Sequence, residues 1–272
     1  MAHKTLINGT SYDIKSGRTL IGGTGYDIKK GRTLIGGTGY DISFGTPIGE
    51  LAVGTSVFMN VNGVRTEFIV VHQGNPDSSL YDASCNGTWV LMKDVYAKVD
   101  VGVDYYYHTG KTNDYLNNTF LKLLDNGVQT AIKQVKIPYT TWGYTGTYYG
   151  NVIHKTGNGL STKIFAPAAG EVSNNFDGAG DGATLDYFAN DSANTTSCQN
   201  RVAYLNGAAC NWKLRTPELS GSGSQVDTLS STCYIWENGQ LNSSNYIRTY
   251  GMRPQFIFPF EVLNDDDFNI IA

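Results

Sequence analysis

Charge is what this chain lacks most: Asp, Glu, Lys and Arg make up 16% of its 272 residues, against about 25% in ordinary soluble domains. The net charge is −4, with six basic and three acidic residues up to Gly45 and fourteen against twenty-one beyond it. No Lys/Arg-rich run is present, so the electrostatic footprint needed for nucleic acid is missing and DNA or RNA is not an expected partner. No apolar run approaches the roughly 18 residues of a membrane span, so no membrane insertion is expected. The start MAHKTLING has no apolar core of a secretory signal, which implies synthesis in the cytoplasm.

Cysteine and histidine are equally sparse. Cys85, Cys198, Cys210 and Cys233 lie far apart without C-x-x-C spacing, so neither a zinc site nor a disulfide framework is indicated, and buried free thiols are expected. His3, His72, His108 and His154 stand in no recognised motif with Cys, Ser or carboxylate, and H-E-x-x-H, G-x-S-x-G and P-loop patterns are absent. The chain therefore reads as no enzyme, without a cofactor. Asp177, Asp181, Asp186 and Asp191 fall in a Gly-rich stretch. Their spacing does not fit an EF-hand and no Glu closes the set, so no metal is assigned.

What is abundant is Gly (32) and Tyr (18), with polarity supplied by Asn, Ser and Thr. A 14-residue repeat opens the chain: KTLINGTSYDIKSG, RTLIGGTGYDIKKG and RTLIGGTGYDISFG cover residues 4–45. Each unit holds an apolar pair (Leu20, Ile21), a Gly-rich turn (Gly22, Gly23), an alternating run (Tyr26, Ile28) and a second turn at Lys30 and Gly31. Two short strands per unit are predicted. A pair that small is marginal alone, so residues 1–45 read as a stem that docks or self-associates, a flexible leader being the alternative.

Residues 46–272 read as one domain. A hairpin is predicted to turn at Asn62-Gly63, with a buried strand at 89–92. The clearest helix opens at Thr112, carries Leu116, Phe120, Leu123 and Leu124 on one face and ends near Asn126-Gly127. A second periodic stretch (Val128, Ile132, Val135) stops at Pro138. Long loops are expected over 139–200, then short strands around Trp212, Tyr234 to Trp236 and Phe256 to Phe260, before an acidic tail at 264–267. The fold class expected is α+β.

Two segments carry a resemblance. Trp212, Leu214, Arg215, Thr216 and Pro217 form W-x-L-R-T-P, and after a polar interval Tyr250, Gly251, Arg253, Pro254 and Phe256 form Y-G-x-R-P-x-F. With Phe68 to His72, Tyr115 to Leu121 and Val135 to Pro138, this resembles a phage- and prophage-associated C-type-lectin-like family over roughly residues 50–260. The leading TLIGGTGYDI repeats resemble those that open phage structural proteins of Gram-positive hosts.

The resemblance implies a lectin-like head on a β-repeat stem and a virion protein that recognises a host surface glycan or protein. Residues 1–45 would join it to other virion proteins or to its own copies, a trimer being one arrangement. Trp212, Leu214, Arg215, Pro217, Tyr250, Gly251, Arg253, Pro254 and Phe256 read as structural, the two arginines bonding loop carbonyls or a carboxylate.

The interval 218–249 mixes aromatic anchors with adaptable polar residues, a binding-loop composition. Tyr234, Trp236, Asn238, Asn242, Asn245, Tyr246 and Arg248 are its expected contact residues. Trp236-Glu-Asn238 is similar to the W-N-D element of sugar-binding lectins, without the companion E-P-N-type element. The readings left open are a decoration protein that binds no cell, and a formylglycine-type enzyme using Cys198 and Cys210.

Overall fold

A computed structural model describes residues 4–7, 10–13, 17–21, 24–28, 30–35, 38–43, 45–101, 107–144, 149–173, 180–190, 198–218, 231–244 and 249–272. Three antiparallel hairpins come first: β1 (Lys4–Ile7) with β2 (Thr10–Asp13), β3 (Gly17–Ile21) with β4 (Thr24–Ile28), and β5 (Lys30–Ile35) with β6 (Thr38–Ser43). Lys30 and Gly31, expected in a turn, begin β5 instead. β7 (Thr46–Pro47) starts the body by pairing with a C-terminal strand.

A first sheet is built on β8 (Ser56–Val61), β9 (Val64–Gly74) and β10 (Gly87–Met92). Asn62 and Gly63 close the β8–β9 hairpin with φ of 53° and 75°, the left-handed pair a two-residue turn demands. Every residue of β10 is buried, as the apolar run 89–92 requires of a strand covered on both faces. Trp89 is fully enclosed, with Tyr81 and Phe165 edge-on at 5.4 and 5.7 Å.

β11 (Ala97–Asp100) follows. The long helix expected from Thr112 is broken. α1 covers only Lys111–Asp114, a π turn Tyr115–Thr119 and a 3-10 turn Phe120–Leu123 follow, and Asn126-Gly127 opens α2 (Asn126–Ala131) rather than ending a helix. The apolar face is as spaced, with Leu116, Phe120 and Leu124 buried. The regularity is lost around Asn117, whose side chain accepts from the backbone N–H of Lys163 and Ile164 and donates to Ile164 O at 2.9 Å. That amide ties the segment to a distant strand, and the helix deforms to reach it.

The remaining strands are β12 (Val135–Ile137), β13 (Tyr139–Tyr144), β14 (Tyr149–His154), β15 (Leu160–Thr162), β16 (Ile164–Phe165), β17 (Tyr204–Leu205), β18 (Ala208–Ala209), β19 (Trp212–Glu218), β20 (Ser231–Ile235), β21 (Leu241–Ser244), β22 (Thr249–Met252), β23 (Gln255–Phe258), β24 (Leu263–Asn264) and β25 (Ile270–Ile271). The first sheet runs β16-β23-β10-β9-β8 and the second β11-β22-β19-β20-β21.

Strands dominate, and the two α-helical pieces among the described residues have four and six residues. The chain is all-β in character, which corrects the α+β expectation. The acidic segment 264–267 is a turn rather than a loose tail, Asp265 accepting from the backbone of Asp267 and Asn269. No helix among the described residues is long and apolar enough to cross a membrane.

Candidate functional site

β19 organises the site because its residues alternate between two environments. Trp212 and Leu214 enter the main core, while Lys213 faces a smaller cluster of Val101, Tyr234, Tyr250 and Met252 on the other side of the second sheet. Lys213 stands across from Tyr234, and Tyr234 across from Asn242. The Tyr234 ring lies 5.6 Å from Tyr250 and 6.5 Å from Trp236, and Lys213 Nζ sits 5.5 Å from the Tyr250 centroid. Burial pushes both tyrosine hydroxyls above their ordinary pKa, so they stay neutral.

The expected contact residues separate on this face. Trp236 is 47% exposed, whereas Tyr234 is 5% exposed. Tyr234 thus lies beneath the exposed Trp236, its ring packed beside Tyr250. Asn238 is exposed, its Oδ1 accepting from Gln240 N at 3.0 Å. Asn242 is half-buried and accepts from Ser243 N at 2.8 Å. Asn245, Tyr246 and Arg248 lie outside the described residues.

The turn presenting Trp236 is firmly built. Trp236 N donates to Gln240 O at 2.8 Å and Gly239 N to Trp236 O at 2.9 Å. Gly239 has φ of 84°, and a Cβ there would lie 2.2 Å from Cys198 O. Only glycine lets the turn rest on that backbone.

Behind β19 lies the interior of the motif. A register shift between Lys213 and Pro217 breaks the alternation that would leave Arg215 beside Lys213, and the bulge re-aims Arg215 into the core. Its guanidinium donates in bidentate fashion to Glu171, and also to Ala166 O (3.0 Å), Asp181 O (2.9 Å) and Pro138 O (3.2 Å). Burial works against the charge, but Glu171 outweighs it and holds Arg215 above the ordinary arginine value.

Glu171 also accepts from Tyr81 Oη (2.6 Å), Ala168 N (3.0 Å) and Gln255 Nε2 (3.1 Å). Asp181, 2% exposed, accepts from Thr216 Oγ1 at 2.8 Å, and desolvation raises its carboxyl to about 6. The network pins residues 166–171 and Asp181 onto β19. Sequence reasoning missed Glu171. Its one signal was a lone acid in the apolar run 164–172.

Arg253 is also interior: its Nε donates to Met92 O at 2.7 Å and its guanidinium lies 4.9 Å from the Trp212 ring. No carboxylate among the described residues forms an ion pair with it, and burial, only partly opposed by Asp94 and Tyr187, lowers it to about 10. Phe256, Leu214 and Trp212 are wholly buried, and Trp212 Nε1 donates to Arg201 O. Tyr250, Gly251 and Pro254 are buried and Pro217 stands across from Thr232.

Of the aspartates, Asp186 is 2.8 Å from His72 Nδ1 and Asp181 belongs to the Arg215 network, so the two serve different partners. Asp177 and Asp191 lie outside the described residues. All four cysteines are buried, and desolvation lifts the Cys85 thiol to about 12, which leaves it unreactive.

No curated protein and no solved structure matches the chain. Residues 86–260, from the strand entry of β10 to the end of β23, match the family described as Domain of unknown function (DUF6273). The match leaves out the three hairpins and the β8–β9 pair that completes the first sheet. Since it covers more than half of the chain, the protein belongs to the DUF6273 family.

Proposed function

We propose that this chain is a non-enzymatic attachment protein of a bacteriophage-type particle, tail-associated or otherwise surface-exposed, whose head binds a glycan or protein on the host envelope. The observation that carries the reading is Trp236: a large aromatic side chain, nearly half exposed, on a turn fixed by two backbone bonds and a glycine seat. A rigid aromatic anchor loses little entropy on contact, and such anchors carry a disproportionate share of interface energy. Asn238 beside it supplies neutral donors and acceptors, in keeping with the low charge of the chain. A sheet-rich lectin-like head is compatible with the two five-stranded sheets.

Adsorption of purified protein to host cells tests this. Trp236→Ala is expected to reduce binding at least about tenfold, the ratio that corresponds to about 1.4 kcal/mol, with an unchanged denaturation curve. Replacing Ser243 and Ser244 is expected to change binding little. Wild-type adsorption equal to that of Trp236→Ala, or none, transfers the case to a decoration protein that binds no cell. That second reading is favoured by the repeated hairpins, whose design concerns assembly.

A further inference from the structure

The registers of the three hairpins place charges in one pattern. In β3–β4, Arg18 stands across from Asp27, Thr19 from Tyr26 and Ile21 from Thr24. Cross-strand partners share a face and successive residues alternate, so the Arg18/Asp27 rung lies on one face and the Tyr26 and Ile21 rungs on the other. The other two hairpins repeat this with Lys4 across from Asp13 and Arg32 across from Asp41. In every hairpin the first strand is the basic edge and the second the acidic one.

Those edges are not used within the chain: among the described residues, each hairpin is a separate two-stranded sheet. For the second and third the reason is geometric. β4 ends at Ile28 and β5 begins at Lys30, leaving one residue between them, whereas an antiparallel return needs at least about two. The acidic edge of β4 cannot fold back on the basic edge of β5. A two-stranded ribbon is marginal in water, and pairing along its open edges with another chain would supply the missing hydrogen bonds.

The edges themselves identify that chain. Two copies set side by side, with their turns at the same end, bring β3 of one antiparallel to β4 of the next, Arg18 level with Asp27. The same basic-to-acidic rung recurs in all three hairpins, so the same pairing is open to each. The operation is head to tail, and a rotation that closes it makes a ring.

We propose that residues 4–43 pair edge to edge with a second copy of this chain, basic strand against acidic strand, the Tyr26 and Ile21 face turned inward; this rests on reading residues 1–45 as an assembly stem.

The test uses the full chain in sedimentation equilibrium. Wild type is expected at an integral multiple of 29.6 kDa, and Ile21→Asp with Ile35→Asp at 29.6 kDa. All four tryptophans lie beyond the stem, so an unchanged tryptophan-fluorescence unfolding curve shows the head intact in that variant. A second variant exchanges the charges in all three hairpins (Lys4→Asp, Asp13→Lys, Arg18→Asp, Asp27→Arg, Arg32→Asp, Asp41→Arg). Its hairpins and its self-assembly survive, but its edges repel those of wild type, so the two are expected not to co-purify when refolded together. A wild-type mass of 29.6 kDa, an undiminished mass for the isoleucine variant, or free mixing of the charge-exchanged chain with wild type overturns the proposal. None of these outcomes alters Trp236-dependent adsorption, which tests the head alone.

Discussion

Two arginines of one motif, equally interior, do different work. Arg215 shares its charge with Glu171, so removing it leaves a carboxylate enclosed and unpaired; Arg253 is held by one carbonyl and the face of Trp212. Breaking a buried ion pair costs about 3–5 kcal/mol, whereas losing a buried hydrogen bond with its stacking costs about 1–3 kcal/mol. Arg215→Ala is expected to lower unfolding stability by the larger amount and Arg253→Ala by the smaller, measured by urea denaturation. The reverse order would show that the Glu171 network is not the stronger tie. That both arginines are interior was readable from their Pro and apolar neighbours. Their partners were not, because Glu171 and Met92 lie 44 and 161 residues away in the chain and no local pattern points to them.

Elements were legible where their causes are local. Asn62-Gly63 announces a turn because two consecutive left-handed residues need that chemistry, and 89–92 announces a buried strand because it has no polar face. The segment after Thr112 shows the opposite case: its apolar spacing is helical, but Asn117 bonds to residues 46 and 47 positions ahead, and that long-range tie breaks the helix into three kinds of turn. The two glycine turns give a comparison on the same scale. Gly63 has φ of 75° and open space around its missing Cβ, while Gly239 has φ of 84° and Cys198 O at 2.2 Å. Gly63→Ala is expected to cost about 1–2 kcal/mol, the strain of a left-handed residue. Gly239→Ala adds a backbone displacement to that strain, so its loss of stability is expected to be larger, and Trp236 moves with the turn. Equal denaturation midpoints for the two variants would mean that the seat on Cys198 does not constrain the turn.

At the scale of the whole molecule, the division between repeat and body is visible in composition and in hydrogen bonding alike. The strands of residues 4–43 pair only within their own hairpins among the described residues, while the body is closed by β7, whose Thr46 and Pro47 stand across from Asn264 and Leu263. Its two large sheets share one hydrophobic core that includes Trp89 and Trp212. What the sequence did not reveal is the balance of this body: short strands separated by polar stretches gave a weak period-2 signal, and the one strong helical period promised more helix than forms. If hairpins and body are independent, removing residues 1–45 takes away no rung of either large sheet and leaves the β7–β24 closure in place. The truncated chain is expected to keep the unfolding midpoint of the full chain, followed by tryptophan fluorescence, and to sediment as a single copy. A midpoint lowered by several degrees would show that the hairpins pack against the body, for a stability change of about 1 kcal/mol shifts a domain of this size by about 2–4 °C. Retained self-association of the truncated chain would place the assembly contacts in the body instead of the repeats.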